Sequence, residues 1–202
     1  MKIKLNNQDC LEAMRQMTDN QFDLAIVDPP YGIGASRGVG VTRGKKNQYT
    51  VKDWDDDIPN EDYFIELFRV SKNQIIWGAN HFTNYLKPSR GWIYWQKKMG
   101  GNYSDGELAF TSFDRVLKEF TKRSDQGNRF HPTQKPVKLY EWLLDNYAEE
   151  GQTILDTHLG SGSIALACHN RGYSLTAFEI DKEYFEAAKK RLEIHQAQLT
   201  MF

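Results

Sequence analysis

The sequence predicts an α/β fold, a doubly wound open sheet whose strands are mostly parallel with an antiparallel strand among them. Three observations carry this. Strand-like and helix-like segments alternate at both ends of the chain. The run "FDLAIV" at residues 22–27 is short and almost wholly apolar, as in a strand covered on both faces. The stretch "ILDTHLGSGSIALA" reads as a strand, a glycine turn and a helix. Strand, helix and strand in that order require parallel pairing through right-handed crossovers.

Residues 2–5 alternate as a half-buried strand does. Asp9 suits the N-cap of a helix carrying Leu11, Met14 and Met17. After strand 22–27 comes Asp28-Pro29-Pro30-Tyr31, and then a long irregular stretch, 32–59. A loop of that length is usually functional or disordered. A helix is expected over 61–70, with strands over 74–77, 91–95, 108–111 and 115–120. "HPTQKP" then leads into a helix with Val137, Tyr140, Leu144 and Tyr147 on one face, ended by Gly151. Strand 153–155, helix 163–171 and strand 174–178 follow. Asp181 caps a last helix with Tyr184, Ala188, Leu192 and His195 in phase.

The 202 residues are read as one domain, with room for a sizeable core. Apolar content of 40% and charged content of 26% are ordinary for a soluble chain. A net charge of −1 gives no global attraction to nucleic acid or anionic membrane, so any such attraction must be local. "MKIKLNNQDC" contains no apolar secretory core, and no run approaches the roughly 18 apolar residues of a membrane span. The two cysteines, Cys10 and Cys168, lack metal-ligand spacing, so no metal site is expected and a reducing cytoplasm is.

Gly160, Gly162 and Ala165 fit the G-x-G-x-x-G/A spacing of a Rossmann-like turn. One glycine allows the tight turn, the second close approach of a ligand, and the small residue close packing of helix on strand. Glu179 lies at the end of the next strand, where an acid accepts from both hydroxyls of a ribose. A nucleoside-type cofactor is therefore expected, either a dinucleotide or S-adenosylmethionine. Asp156, just before the turn, would repel a pyrophosphate and attract a sulfonium or ammonium.

Asp28-Pro29-Pro30-Tyr31 has its own chemistry. Each proline confines the residue before it to extended conformations, and neither has an N–H. The segment thus presents acceptors without competing donors, and Tyr31 adds a flat face. That is a slot for a planar amine with two N–H groups, such as the exocyclic amine of adenine or cytosine. A plain strand-ending turn is the alternative.

Asp-Pro-Pro-Tyr after an apolar strand, "HPTQKP", and the span from Asp156 to Gly162 together resemble the amino-group DNA methyltransferases. With the catalytic motif first and the glycine turn last, the order is similar to the circularly permuted beta class, here in a small form without a separate recognition domain. The resemblance covers nearly the whole chain. It implies a Rossmann-like sheet of the S-adenosylmethionine-dependent type and methyl transfer to adenine N6 or cytosine N4, with Asp at the motif's first position leaning toward adenine. It implies that Asp28 and the Pro29 carbonyl accept from the amine, Pro30 stiffens them, and Tyr31 stacks on a base flipped out of double-stranded DNA. On the cofactor side it implies Gly160 and Gly162 along the cofactor, Glu179 on its ribose and Asp156 near its methionine end, with Asp28, His131, Ser161 and Asp181 also among the cofactor-binding residues. Lys135 with Thr133 would bind the methionine carboxylate, with Asp9 near the adenine. The family usually has Pro and Phe where Thr157 and His158 stand, which leaves the aromatic packing there open.

Arg37, Arg43, Lys45 and Lys46 follow the catalytic turn with no acid before Asp53, which suits phosphate contacts. Lys52, Lys97, Lys98, Lys122, Arg123 and Arg129 could extend the same face, so 97–130 is a candidate recognition region. Beta-class relatives are often dimers, so a homodimer is an expectation. The rival readings are a nicotinamide-dependent oxidoreductase, an inactive nucleic-acid binder, and transfer to RNA or to a protein glutamine. The oxidoreductase leaves Asp-Pro-Pro-Tyr and "HPTQKP" unexplained.

Overall fold

In a computed structural model, which describes residues 1–35, 52–98, 104–123 and 130–199, the chain forms one eight-stranded sheet. The strands are β1 (Ile3–Asn6), β2 (Phe22–Val27), β3 (Ser71–Trp77), β4 (Trp92–Gln96), β5 (Gly106–Thr111), β6 (Lys118–Thr121), β7 (Thr153–Asp156) and β8 (Ser174–Phe178). Their spatial order is β1-β8-β7-β2-β3-β5-β4-β6. Five neighbouring pairs are parallel, and β5 runs antiparallel between β3 and β4.

Helices cover both faces. On one face α1 (Cys10–Arg15) and α2 (Glu61–Val70) pack Met14, Tyr63, Phe64 and Leu67 against Ala25, Val27 and Ile76. On the other, α3 (Val137–Tyr147), α4 (Ser163–Arg171) and α5 (Lys182–Leu199) bury Leu143, Ile164 and Ala188 with Leu24, Ile26, Ile75 and Ile154. Alternate residues of β2 therefore feed two cores, which is why that strand is apolar almost throughout.

Several boundaries differ from the sequence expectation. The first helix ends at Arg15, so Met17 lies beyond it and packs from the following turn. β3 begins at Ser71, directly after α2, and not at residue 74. Ser71 Oγ donates to Leu67 O at 2.6 Å, which closes the helix without a loop. The strand expected at 115–120 starts only at Lys118. Arg115 instead stacks its guanidinium on Phe113 and Tyr147 and donates to Asn146 O, leaving Val116 and Leu117 exposed. Among the described residues, no helix is long and apolar enough to cross a membrane.

Candidate active site

Three acids meet at the carboxyl ends of adjacent parallel strands: Asp28 after β2, Asp156 at the end of β7 and Glu179 after β8. The pairings Leu24–Ile154, Ala25–Leu155 and Asp156–Ala177 fix their relative height. The helix after β2 lies on one face and the helix after β7 on the other. A crevice opens where the winding reverses in this way, and ligands of open α/β sheets bind there.

Two cavities occupy the crevice. One, of about 310 Å³, is lined by Asp28, Pro29, Tyr31, Lys97, Glu107 and Lys135 among others. The second, of about 250 Å³, is lined by His131, His158, Gly160, Ser161, Glu179 and Tyr184 among others. Asp28, Pro30, Trp54, Thr133, Gln134 and Lys135 border both, so they form the partition.

The Asp28–Tyr31 turn is braced from several sides. Tyr31 donates its hydroxyl to Asp28 Oδ1 at 2.6 Å, and its ring lies parallel to His81 at 5.2 Å. Asp55, only 2% exposed, accepts three backbone N–H groups: Tyr31 and Gly32 on Oδ1 at 2.6 and 3.1 Å, and Ala35 on Oδ2 at 2.7 Å. Nothing in the acidic stretch around Asp55 distinguishes that residue from its solvated neighbours. Gly78 supports the other side. Its φ is +66°, and a Cβ there would sit 2.0 Å from Tyr31 Cε1. Gly78→Ala should therefore push the tyrosine ring off Asp28 and cost about 1–3 kcal/mol of stability through the left-handed backbone and the clash. If the resemblance to the amino-group methyltransferases holds, its transfer rate should fall by about tenfold or more, measured beside a thermal unfolding curve.

Lys135 is 3% exposed and does not face the second cavity alone. Its Nζ lies 2.5 Å from Asp28 Oδ2, 3.0 Å from Glu107 Oε2 and 3.2 Å from the Tyr31 hydroxyl. Burial works against its charge, but Asp28 and Glu107 outweigh that and raise its pKa. Burial lifts the Asp28 carboxyl above the usual range, with Lys135 opposing it. Glu107 would also rise on burial, yet Lys135 and Lys97 hold it down at about 2. Glu107 also pairs with Lys97.

On the second side, Glu179 Oε2 accepts from Gly160 N at 2.8 Å and Oε1 from Asp181 N at 2.9 Å, so part of the carboxylate braces its own loop. His131 lies between Trp54 at 5.4 Å and Tyr184 at 4.3 Å, and its Nδ1 contacts Thr133 Oγ1 at 3.2 Å. Asp156, expected as an anion at the cofactor's methionine end, is 3% exposed and lines neither cavity, its Oδ1 accepting from His158 N. Burial pushes its carboxyl up to about 8, against that anionic role. Burial drops His158 to about 4, so the imidazole is neutral. Thr157 Oγ1 joins the Tyr63 hydroxyl at 2.7 Å to His158 Nδ1 at 2.9 Å, and the imidazole meets the Tyr63 ring edge-on. The aromatic contact left open by the sequence is thus made with histidine.

Four expected roles are drawn differently by the geometry. Asp9 is the N-cap of α1, accepting from Glu12 N, and lines neither cavity. Asp181 caps α5 through Glu183 N and Tyr184 N and lies outside the second cavity. Gly162 does not line that cavity either. It begins α4 at φ +73°, where a Cβ would meet Ala188 Cβ at 3.1 Å, so its smallness serves helix packing. Lys52, expected on a phosphate face, pairs with Asp181 at 2.5 Å and Glu183 at 2.8 Å over the Tyr184 ring. Arg37, Arg43, Lys45, Lys46 and Arg129 lie outside the described residues. Trp54, Asp55, Gly78, Glu107, Ile180 and Tyr184 are among the residues at the two cavities that sequence reasoning missed.

A doubly wound sheet with two cavities meeting across an Asp-Pro-Pro-Tyr turn is a ligand-binding α/β fold, and comparison with known proteins gives the family. The DNA methylase model of N6/N4 type matches residues 70–190, and the chain belongs to that family. Relatives include the type II methyltransferase M.HpaI of Haemophilus parainfluenzae, 25% identical over 96% of this chain and 75% of the relative. The type II methyltransferase M2.DpnII of Streptococcus pneumoniae is 24% identical over 95% of this chain and 90% of its own length. In fold, the chain is similar to M1.HpyAVI in its SAM complex, with a TM-score of 0.64, 21% identity and coverage of 94% of this chain and 100% of that one. It is similar also to the PvuII cytosine-N4-specific DNA methyltransferase, with a TM-score of 0.64, 13% identity and coverage of 94% and 86%.

Proposed function

We propose that this protein is a site-specific DNA methyltransferase that places the methyl group of S-adenosylmethionine on adenine N6 of a flipped base. The observation that carries the reading is the partition. Asp28 borders both cavities, so a base amine held in the first faces a donor held in the second.

The second cavity fits an adenosyl amino acid. Glu179 has about two lone-pair sites left after its loop contacts, enough for a ribose diol. Ile180, 65% exposed beside it, offers an apolar face to a purine. Thr133 and Gln134 stand at the partition end, where a carboxylate would be received, the expected Lys135 ammonium being taken up by Asp28, Glu107 and the Tyr31 hydroxyl. When bound, the cofactor supplies an electrophilic methyl on a sulfonium. The protein's residues do the rest. Asp28 and the Pro29 carbonyl accept hydrogen bonds from the two amine N–H groups, which turns the nitrogen lone pair away from the ring. Tyr31 holds Asp28 in place, and Asp28 balances the positive charge that grows on the nitrogen. Its raised pKa suits it to take up the departing proton. Little acid–base power is needed, so positioning dominates.

Double-stranded DNA is the proposed substrate, gripped in part by the basic stretch after the catalytic turn. The deciding experiment expresses the protein in a host free of amino-methylation and maps N6-methyladenine and N4-methylcytosine by single-molecule sequencing. N6-methyladenine in one recurrent sequence is expected. N4-methylcytosine instead would correct the base, and neither mark from folded protein would overturn DNA as the substrate.

A further inference from the structure

Both oxygens of Asp28 are engaged, Oδ1 by the Tyr31 hydroxyl and Oδ2 by the Lys135 ammonium. An amine presented to this carboxylate finds a buried cation already on it. That cation also opposes the positive charge which transfer builds on the amine nitrogen. Lys135 therefore needs a second counter-charge if Asp28 is to serve the base. Glu107 supplies it from β5, a strand outside every motif that marks the family in this sequence. Its Oε2 lies 3.0 Å from Lys135 Nζ, and both side chains line the first cavity. Lys97 binds the other oxygen, so Asp28, Glu107, Lys97 and Lys135 form a cluster with no net charge.

We propose that Glu107 is a positioning residue for methyl transfer: it seats the Lys135 ammonium and so leaves the Asp28 carboxylate available to the target amine. The inference rests on the function proposed above. Glu107 touches neither the reacting nitrogen nor the methyl carbon, and it acts through Lys135. If it were lost, Lys135 would keep Asp28 alone of its two carboxylate partners, and that carboxylate is the one the amine needs. The cavity would carry net positive charge where the reaction creates more.

The test is single-turnover methylation on the duplex that the methylation map defines, with enzyme and cofactor saturating. Glu107→Gln keeps the shape and removes the charge. Its rate should fall by about 10- to 100-fold, while calorimetric affinity for S-adenosylhomocysteine stays within about threefold of wild type. Adding Lys97→Met to Glu107→Gln restores neutrality and should recover part of the rate. Glu107→Asp, which keeps the charge, should be faster than Glu107→Gln. A wild-type rate in Glu107→Gln would overturn the proposal. So would a slow rate unchanged by Lys97→Met, or equal loss of folded protein in the Gln and Asp variants, since either describes a structural role. Wild-type protein that methylates no DNA would instead defeat the functional reading, and this inference with it.

Discussion

Asp28→Ala is expected to lower methyl transfer by about 1,000-fold or more while affinity for S-adenosylhomocysteine changes little. The carboxylate is the acceptor in the wall between the two cavities, and no neighbouring side chain can replace it: Glu107 is spent on Lys97 and Lys135. Cofactor affinity should survive because Glu179, Gly160, Ser161 and Tyr184 line the second cavity without bordering the first, away from the Asp28 partition. Asp28→Asn is the finer probe. Its amide oxygen still accepts one N–H, but it carries no charge and cannot take up a proton. The pH profile separates these contributions. Transfer needs the ionised carboxylate, and burial raises its pKa above the ordinary 3.8. The rate should therefore be lost as pH falls through that raised value, so the acid limb lies above the one an exposed aspartate would give. The Asn variant should lack this limb. Single-turnover rates across pH, beside calorimetry, check both statements, and an Ala variant with full activity would end the assignment.

Asp55→Ala should have the second-largest effect. One buried carboxylate holds the N–H groups of Tyr31, Gly32 and Ala35, and truncation strands all three. Hydrogen bonds to a charged partner contribute about 1.5–3 kcal/mol each, but water entering the vacated space would satisfy some of these donors. A net loss of about 3 kcal/mol is expected, which lowers the melting temperature by about 6–12 °C in a chain of this size. Activity should fall by about 100-fold even well below that temperature, because the turn that aims Asp28 and Tyr31 has lost its anchor. The experiment decides between two sources of rigidity. If the prolines alone stiffen the turn, Asp55→Ala will melt earlier yet transfer at the wild-type rate. If the anchor matters, the rate falls with the stability, and Asp55→Asn, which keeps part of the acceptor set, lies between.

The parts of the fold legible in advance were those written in local periodicity and capping. The two-sided apolar run of β2, the glycine turn before α4, and the caps at Asp9 and Asp181 are decided by residues within a few positions of one another. Boundaries failed where a distant partner intervened. Arg115 left strand geometry to stack on Tyr147, 32 positions on in the sequence, and α2 passed into β3 without turn residues because Ser71 closes the helix itself. The same division holds at the site. Asp28, Pro29, Pro30 and Tyr31 announce themselves because their chemistry is contiguous. Asp55 and Glu107 do not, since an acid in an acidic loop and an acid on an alternating strand have no local mark of burial.

The sequence thus settled which elements form, which face of each is apolar, and that a rigid acceptor array ends β2. Those properties follow from neighbouring residues and the periods of helix and strand. Tertiary structure alone decided what surrounds the array. It set Lys135 on Asp28 and not only toward the second cavity, gave Gly162 to helix packing, and made Glu107 the counter-ion of a lysine 28 residues away. The physical reason is that a charge's role depends on which opposite charges share its low-dielectric surroundings, and strand order, not sequence distance, brings those charges together.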